Sequence, residues 1–420
     1  MPEKMRPEII SVTGTKGKST IVYILAQILS QSQNTLRVDT TGCYINGDKK
    51  SGFEDSTRLA GLVPTVAPGR FLTLMQDFDN FTAILECSLG SSNLPGLGYS
   101  HHSVGVFTNV YEDHIGNTDR LKTREDIALA KRFIFSRLRP NGYAVFNADD
   151  KLVCSQLDAC KPGVIMVPCG FEFSAFDNQK HMASGGSCVA IENGWVVVKS
   201  AQKVDKIVQL ESVTWTFNGA YLPSVWNLMF IVGALWAHGK GSFPKNWKES
   251  LTNSRLDPLG GRLISLRSQN GVTIIADYAH EKYSLAAIGD LAKKLCADGG
   301  KVIGIVRLAY DRSDELIADT AKHIAGHFDE LIVYDKIDGF LRKPKETLGK
   351  FKMIVGYISK VFSSELEKYN PNVVRIVRED EAINYAAKMA KSGDVVVHIV
   401  NDDIEQSMNF IKRKFKAELV

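Results

Sequence analysis

The segment Gly14, Thr15, Lys16, Gly17, Lys18, Ser19, Thr20 follows the apolar run IISV and precedes an amphipathic stretch starting near Ser19. In that strand, turn and helix context, glycines let backbone N–H groups turn inward onto phosphate oxygens, and the helix N-terminus adds partial positive charge. Lys18 is then placed to reach the β- and γ-phosphates, and the Ser19 hydroxyl to ligate Mg²⁺. One departure from the general phosphate-loop spacing is Val12, which stands where a glycine is usual, five positions before Gly17.

Further along, Glu86 ends the apolar run FTAILE, so its carboxylate is expected at the C-terminal edge of a sheet, where ligands of open α/β folds bind. Asp113 and His114 follow the run SVGVFTNV in the same way, and Lys131 falls in the next helical stretch. A carboxylate, an imidazole and a third oxygen donor would suit Mg²⁺. An ammonium repels the ion and offers no lone pair, so Lys131 joins such a set only as a carbamate.

The form TGTKGKST resembles the phosphate loop of Mur ligases and folylpolyglutamate synthetases. The order Glu86, then FTNVYEDH with His114, then Lys131 is similar to the Mur ligase set around a second Mg²⁺. The resemblance implies an ATP-dependent ligase that activates a carboxylate as an acyl phosphate and joins it to an amine, with ATP and two Mg²⁺ ions as cofactors. It assigns the loop from Gly14 to Thr20 to ATP and Ser19, Glu86, His114 and carbamylated Lys131 to Mg²⁺. Asn227 in YLPSVWNLMFIVGAL matches an adenine-contacting Asn, Arg262 in GGRLISL a phosphate-approaching Arg, and Asp277 in DYAH a ribose-contacting Asp. His280, Asp311, Arg312 and Asp314 are implied on the substrate side, although Asp311, Arg312, Asp314 and Glu315 could equally cap a helix.

Within that superfamily the chain is most similar to the C-terminal ligase module of cyanophycin synthetase, through DTTGCYINGD, LPGLGYS, GYAVFNADD, YDRSDELI and IVYDKIDGFLR. Two segments depart from it. The DYAHNP pattern reads DYAHEKYS, with Glu281 and Lys282, and the LRGR-like stretch reads Leu341, Arg342, Lys343, Pro344. So few residues precede the first strand that neither an ATP-grasp half nor a UDP-sugar-binding domain is expected ahead of it. The acceptor is then expected to be a free amino acid or peptide, a polymer, or a carrier presented by another protein, and a partner protein or a homo-oligomer both stay open. The alternatives are a folylpolyglutamate-synthetase-like ligase and a non-catalytic ATP-binding or ATPase subunit. The sequence does not name the carboxylate or the amine.

The elements that must position these residues fall into two alternating series. IISVTG, a helix from about Ser19, FTAILECS, SVGVFTNV, a helix across 123–138 and GYAVFN predict a mostly parallel α/β sheet. Residues 160 to about 215 read as a small antiparallel appendage with a hairpin at Glu192, Asn193, Gly194. A helix from about Ser224 to His238 ends at the Gly- and Pro-containing GKGSFPKNW. After RLDPLGGR the second series runs RLISL, Asn270-Gly271, VTIIADYA, KVIGIV, ELIVYD, VVRIV and DVVVHIV, separated by helices, and predicts a Rossmann-like domain without GxGxxG. The expected domains are therefore 1–256, a P-loop central domain of the Mur ligase type, and 257–420.

At 420 residues the chain exceeds the size at which one core usually stops growing. Lys plus Arg number 51 against 47 Asp plus Glu, a balance that points to neither a nucleic-acid nor a membrane partner. The seven cysteines are odd in number and form no CxxC pair, which argues against a disulfide framework and a zinc knuckle. With no h-region and no long apolar run, a cytoplasmic setting is expected. His323 and His327, four apart, are read as surface histidines rather than a metal pair, and His101-His102 as loop polarity.

Overall fold

A computed structural model describes residues 7–50, 63–89, 96–112, 120–257, 260–310, 312–336 and 355–419. The chain divides into two compact units, Met1–Leu256 and Asp257–Val420.

The first unit is built on one 11-stranded sheet. Its strands are β1 (Glu8–Thr13), β2 (Thr35–Asp39), β3 (Gly42–Ile45), β4 (Asp48–Lys49), β5 (Thr82–Glu86) and β6 (His102–Phe107). They continue with β7 (Leu138–Asn147), β8 (Ile165–Cys169), β9 (Ser187–Glu192), β10 (Trp195–Ser200) and β11 (Val204–Gln209). The spatial order is β11-β10-β9-β8-β7-β6-β1-β5-β2-β3-β4. From β2 through β9 neighbouring strands pair parallel, so their carboxyl ends share one edge. Parallel strands covered on both faces are apolar throughout, and β5 and β6 are buried at every position.

The region expected as an appendage extends this same sheet. Only β10 and β11 run antiparallel to their neighbours at that end, and Asn193 and Gly194 make the hairpin with φ values of 49° and 77°. Two positive φ angles give the turn the twist that adjoining strands need.

Helix α1 (Lys18–Leu29) follows β1 and buries seven of its residues, Ile21, Val22, Ile24, Leu25, Ala26, Ile28 and Leu29. Helix α2 (Arg124–Lys131) begins at a capping box, in which Thr123 and Asp126 satisfy each other's backbone N–H groups. It does not run on to residue 138 as expected. The helix breaks at Arg132, a second, single helical turn covers Phe133–Ser136, and β7 starts at Leu138. Ile134 and Phe135 are both buried in one cluster with Phe107, Ala144 and Phe146. Helix α3 (Leu222–His238) packs Leu228, Met229, Ile231, Val232 and Leu235 into the main core with Ile10, Val12, Val106 and Val145.

His102, expected as loop polarity, instead opens β6 and is buried, its Nε2 2.7 Å from the Ile134 carbonyl oxygen. A strand start beside a buried turn leaves that carbonyl in need of a donor, which an imidazole N–H supplies.

In the second unit a seven-stranded sheet has the order β16-β15-β14-β17-β13-β12-β18. These are β12 (Ile264–Ser268), β13 (Thr273–Asp277), β14 (Val302–Val306), β15 (Glu330–Val333), β16 (Val373–Arg375), β17 (Val395–Ile399) and β18 (Ala417–Leu419). The five from β16 to β13 pair parallel, while β12 is antiparallel to both of its neighbours. Helices α4 (Lys282–Leu295), α5 (Asp314–Ile324), α6 (Tyr357–Glu367), α7 (Glu379–Met389) and α8 (Ile404–Phe415) connect and cover the strands. The chain winds outward from β13 to β16 and returns to place β17 between β14 and β13. That reversal makes a switch point, the place where open α/β sheets form a ligand crevice at strand carboxyl ends. No described helix is long and apolar enough to cross a membrane.

Candidate functional site

The loop from Gly14 to Gly17 leaves β1 at the sheet's carboxyl edge, and its shape is set by residues that L side chains would spoil. Gly14 has φ 139°, and a Cβ there would lie 2.0 Å from Thr108 Oγ1. Gly17 has φ 89°, and a Cβ there would lie 2.3 Å from Asn227 Oδ1. Gly17 is also the N-cap of α1, and no side chain caps that helix. A helix N-terminus with no side-chain cap directs its first N–H groups and its partial positive charge into the loop.

The strand neighbouring β1 braces this loop. After β6, Thr108 Oγ1 donates to the Lys16 carbonyl oxygen at 2.7 Å, and Asn109 Oδ1 accepts the Lys16 N–H at 2.8 Å. Asn109 also donates from Nδ2 to the Lys16 oxygen at 3.3 Å, its own carbonyl accepts the Thr15 N–H at 3.0 Å, and Thr15 Oγ1 accepts the Tyr111 N–H at 3.0 Å. Sequence reading placed Thr108 and Asn109 only within the segment leading to His114. The signal was their position directly after the strand that pairs with β1.

Lys18 Nζ donates to the Thr15 carbonyl oxygen at 3.0 Å and lies 4.0 Å from Glu86 Oε1. Glu86, only 2% exposed, ends β5, which lies on the other side of β1 from β6. The tip of β5 thus brings a buried carboxylate to the phosphate loop. Lys131, at the end of α2, is 4% exposed, so it is not a solvated surface lysine. Burial pushes the Cys87 thiol up to about 12, the Glu86 charge adds to that rise, and the Lys131 charge opposes it. The Lys131 charge is thus near enough to reach the buried thiol that follows Glu86. Asp113 and His114 lie outside the described residues, as do Asp311 and the 341–344 stretch. Among the described residues no three His, Cys, Asp or Glu side chains gather as a metal-holding group.

In the second unit, Asp277 ends β13 and is buried, and its Oδ2 accepts the Leu263 N–H at 2.9 Å. Gly261 and Leu263 have φ values of 61° and 47°, a costly region for a branched residue, so this hydrogen bond helps to hold a strained turn that carries Arg262. The Arg262 guanidinium lies 5.4 Å from the centre of the Tyr278 ring, and the buried Arg307 guanidinium 4.7 Å from it. His280 Nδ1 donates to the Tyr278 carbonyl oxygen at 2.9 Å. Lys336 lies 2.9 Å from Asp402 and 5.9 Å from the Tyr278 ring centre, and Tyr278 donates its hydroxyl to Asp402. Burial alone would raise the Asp402 carboxyl, but Lys336 and the Tyr278 hydroxyl hold it below its ordinary value. Sequence reading missed Tyr278, Arg307, Lys336 and Asp402, which share no local motif.

Glu281, one of the two departures in DYAHEKYS, is the N-cap of α4. Its carboxylate accepts the N–H groups of Tyr283 and Ser284 at 2.9 and 2.7 Å. Lys282 pairs with Asp319 at 2.6 Å. Ser313 caps α5, and Asp314 in its first turn accepts the Tyr357 hydroxyl at 3.3 Å, while Arg312 stands just ahead of that cap. His327 Nδ1 lies 2.6 Å from Asp290, its ring 6.0 Å from that of His323.

Comparison with known proteins matches residues 12–191 to the Mur ligase middle domain and residues 261–399 to the Mur ligase, glutamate ligase domain. The chain is similar to the cyanophycin synthetase of a Nostoc species, 27% identical over 416 residues that cover 97% of this chain and 42% of that protein. It thus spans less than half the length of that relative. It is also similar to the UDP-N-acetylmuramoyl-L-alanyl-D-glutamate--2,6-diaminopimelate ligase of Bacteroides thetaiotaomicron, 26% identical over 395 residues, 93% of this chain and 72% of that one. Among solved structures, E. coli FolC in complex with DHPP and ADP shares the fold with a TM-score of 0.66 at 18% identity, covering 97% of this chain and 89% of that one. The MurF ligase of Thermotoga maritima in complex with ADP gives a TM-score of 0.61 at 15% identity, covering 98% and 81%.

Proposed function

This chain belongs to the Mur ligase family, and from that premise we propose that it is an ATP-dependent ligase. It activates a carboxylate as an acyl phosphate and joins it to an amine, releasing ADP and phosphate. The observation that carries this reading is the braced glycine loop between β1 and α1, with Lys18 at its head 4.0 Å from buried Glu86. The loop suits a triphosphate because no side chain caps α1 and because a Cβ at Gly14 or Gly17 would meet a neighbouring side chain.

ATP and two Mg²⁺ ions would supply the phosphoryl group and spread its charge in transfer. In the chain itself, Lys18 exchanges the Thr15 carbonyl for β- and γ-phosphate oxygens. The loop from Gly14 to Thr20 would offer its N–H groups, and the Ser19 hydroxyl and Glu86 carboxylate would hold metal, with His114 and, if carbamylated, Lys131 as the further ligands. Asn227 addresses the base, Asp277 a ribose and Arg262 a phosphate. His280, Asp311, Arg312 and Asp314 stand on the substrate side. The substrates are amino acids or peptides, free or held on a polymer or carrier.

Glu281 at the head of α4 means that the altered motif still starts its helix with a side-chain cap. Phosphate release measured across a panel of amino acids, peptides and folyl substrates tests the proposal. One carboxylate–amine pair should stimulate release, and hydroxylamine should trap the activated carboxylate as a hydroxamate. Phosphate release indifferent to every pair would instead mark a plain ATPase or binding subunit.

A further inference from the structure

The parallel strands of the first unit begin at the edge of the sheet opposite the phosphate loop, and that edge holds a cavity of about 330 Å³. Its wall comes from the starts of β1, β6, β7 and β8 and from the end of α3, with Lys240 just beyond. Strand β7 leaves regular pairing to build it. Between the pairs His102–Leu138 and Val104–Tyr143, β6 has Ser103 where β7 has Arg139, Pro140, Asn141 and Gly142. A bulge at a sheet edge re-aims side chains, and here it carries Arg139 and Asn141 into the cavity wall. Asn141 takes φ 60°, and a Cβ at Gly142 would lie 2.9 Å from the Arg139 carbonyl oxygen and 3.0 Å from that of Ser103.

The polar groups of this wall have capacity to spare. Arg139 reaches both Glu8 carboxylate oxygens with Nη2 alone, at 2.8 Å each, which leaves Nε and Nη1 without a partner among the described residues. Lys240 makes no ion pair among the described residues. His238 Nε2 lies 3.1 Å from the Gln33 amide nitrogen, a donor, so that ring nitrogen accepts and Nδ1 carries the proton. Nδ1 is buried and has no hydrogen-bond partner among the described residues. Burial holds the His238 pKa below its ordinary value, Glu8 opposes that, and Lys240 and Arg139 add to it. The ring is therefore neutral at pH 7, and all three charges lie within its reach. A buried donor with no partner costs stability until a bound group supplies an acceptor.

We propose that this cavity binds a free α-amino acid as an effector, its carboxylate on Arg139 and Lys240, its ammonium on Glu8 and its side chain against Tyr143 and Ile165. Ile165 is 41% exposed, an apolar surface at the cavity wall beside these charges. The volume falls at the small end of the range for ligand pockets, about 300–1,000 Å³. Both elements that supply the key groups run from here to the phosphate loop. Strand β1 starts at Glu8 and leads into the loop, while α3 runs from Asn227, which meets Gly17, to His238. At 1.5 Å per residue about 16 Å of helix separates the two. A ligand that holds β1 and α3 in one setting changes nucleotide affinity, and by linkage the nucleotide changes the ligand's affinity by the same factor.

Calorimetric titration of the full chain with each of the common free amino acids, first without nucleotide and then with a non-hydrolysable MgATP analogue, tests this. One amino acid, or one chemically related group, should bind the nucleotide-free chain. Arg139→Ala and Lys240→Ala should each weaken that binding about tenfold or more, and Lys240→Ala should keep the wild-type unfolding temperature. The bound amino acid should shift the affinity for the MgATP analogue at least threefold. No binding by any amino acid would overturn the site, as would binding that both variants leave intact. Binding with unchanged affinity for the analogue would overturn the effector role. The first titration needs no nucleotide, so it stands apart from the phosphate-loop reading, which Lys18→Ala titrated with the MgATP analogue tests separately.

Discussion

Lys18 spends its charge on the Thr15 carbonyl and the flank of Glu86, contacts that a triphosphate would replace. One such hydrogen bond contributes about 1 kcal/mol to stability, so Lys18→Ala is expected to fold normally. Its ATP turnover should fall about 100-fold or more, because Lys18 would neutralise charge at the transferring phosphoryl group. Phosphate release alongside thermal unfolding checks both halves, and wild-type turnover would refute the loop assignment. Lys131 raises a different question, because a buried ammonium beside a metal would repel it. As a carbamate it is an anion with two acceptor oxygens, formed from the neutral amine that burial favours. Lys131→Ala should therefore lose most activity, and formate or acetate should partly restore it. A strong loss with no rescue would leave Lys131 as an ordinary structural cation.

At the scale of the element, His102 ties β6 to the helical turn at Phe133–Ser136. Burial lowers its pKa to about 4, although its hydrogen bond to Ile134 partly opposes the shift. Below the ordinary histidine value of about 6.5, the unfolded chain takes up a proton that the folded chain refuses. Stability from this group is therefore complete above that value and is lost as pH falls toward 4, by up to about 3 kcal/mol. In His102→Gln, which keeps an N–H donor, urea unfolding followed from pH 7 to pH 4 should show a flatter decline. An unchanged slope would mean that His102 is not the group responsible.

Each unit of the whole molecule has its own core: Ile10, Ile24 and Leu228 in the first, Ile274, Ile383 and Ile411 in the second. Ile383→Ala removes three carbons from a fully buried site and should cost about 2–5 kcal/mol. If cores are independent, hydrogen exchange should speed up across the second unit alone. Faster exchange spread equally through β1, β5 and β6 would show that the two units unfold as one.

By itself the sequence determined whatever depends on contiguous residues. TGTKGKST fixes a strand, a left-handed glycine and a helix start within a few positions, so the loop and the family were both legible. Glu86 was legible as a strand-end carboxylate, because an apolar run must stop at a sheet edge. Residues 113–119 and 337–354 lie outside the described residues, so His114 and the 341–344 stretch rest on sequence alone. Only the tertiary structure decided which distant segments meet. Thr108 and Asn109 grip Lys16 from 92 and 93 positions away because β6 lies beside β1, an adjacency made by crossovers rather than by any local signal. The burial of Lys131, the single sheet that absorbs β8 to β11, and the meeting of Glu8 with Arg139 have the same origin. Side-chain periodicity says which face of an element is apolar, but long-range packing chooses what that face meets.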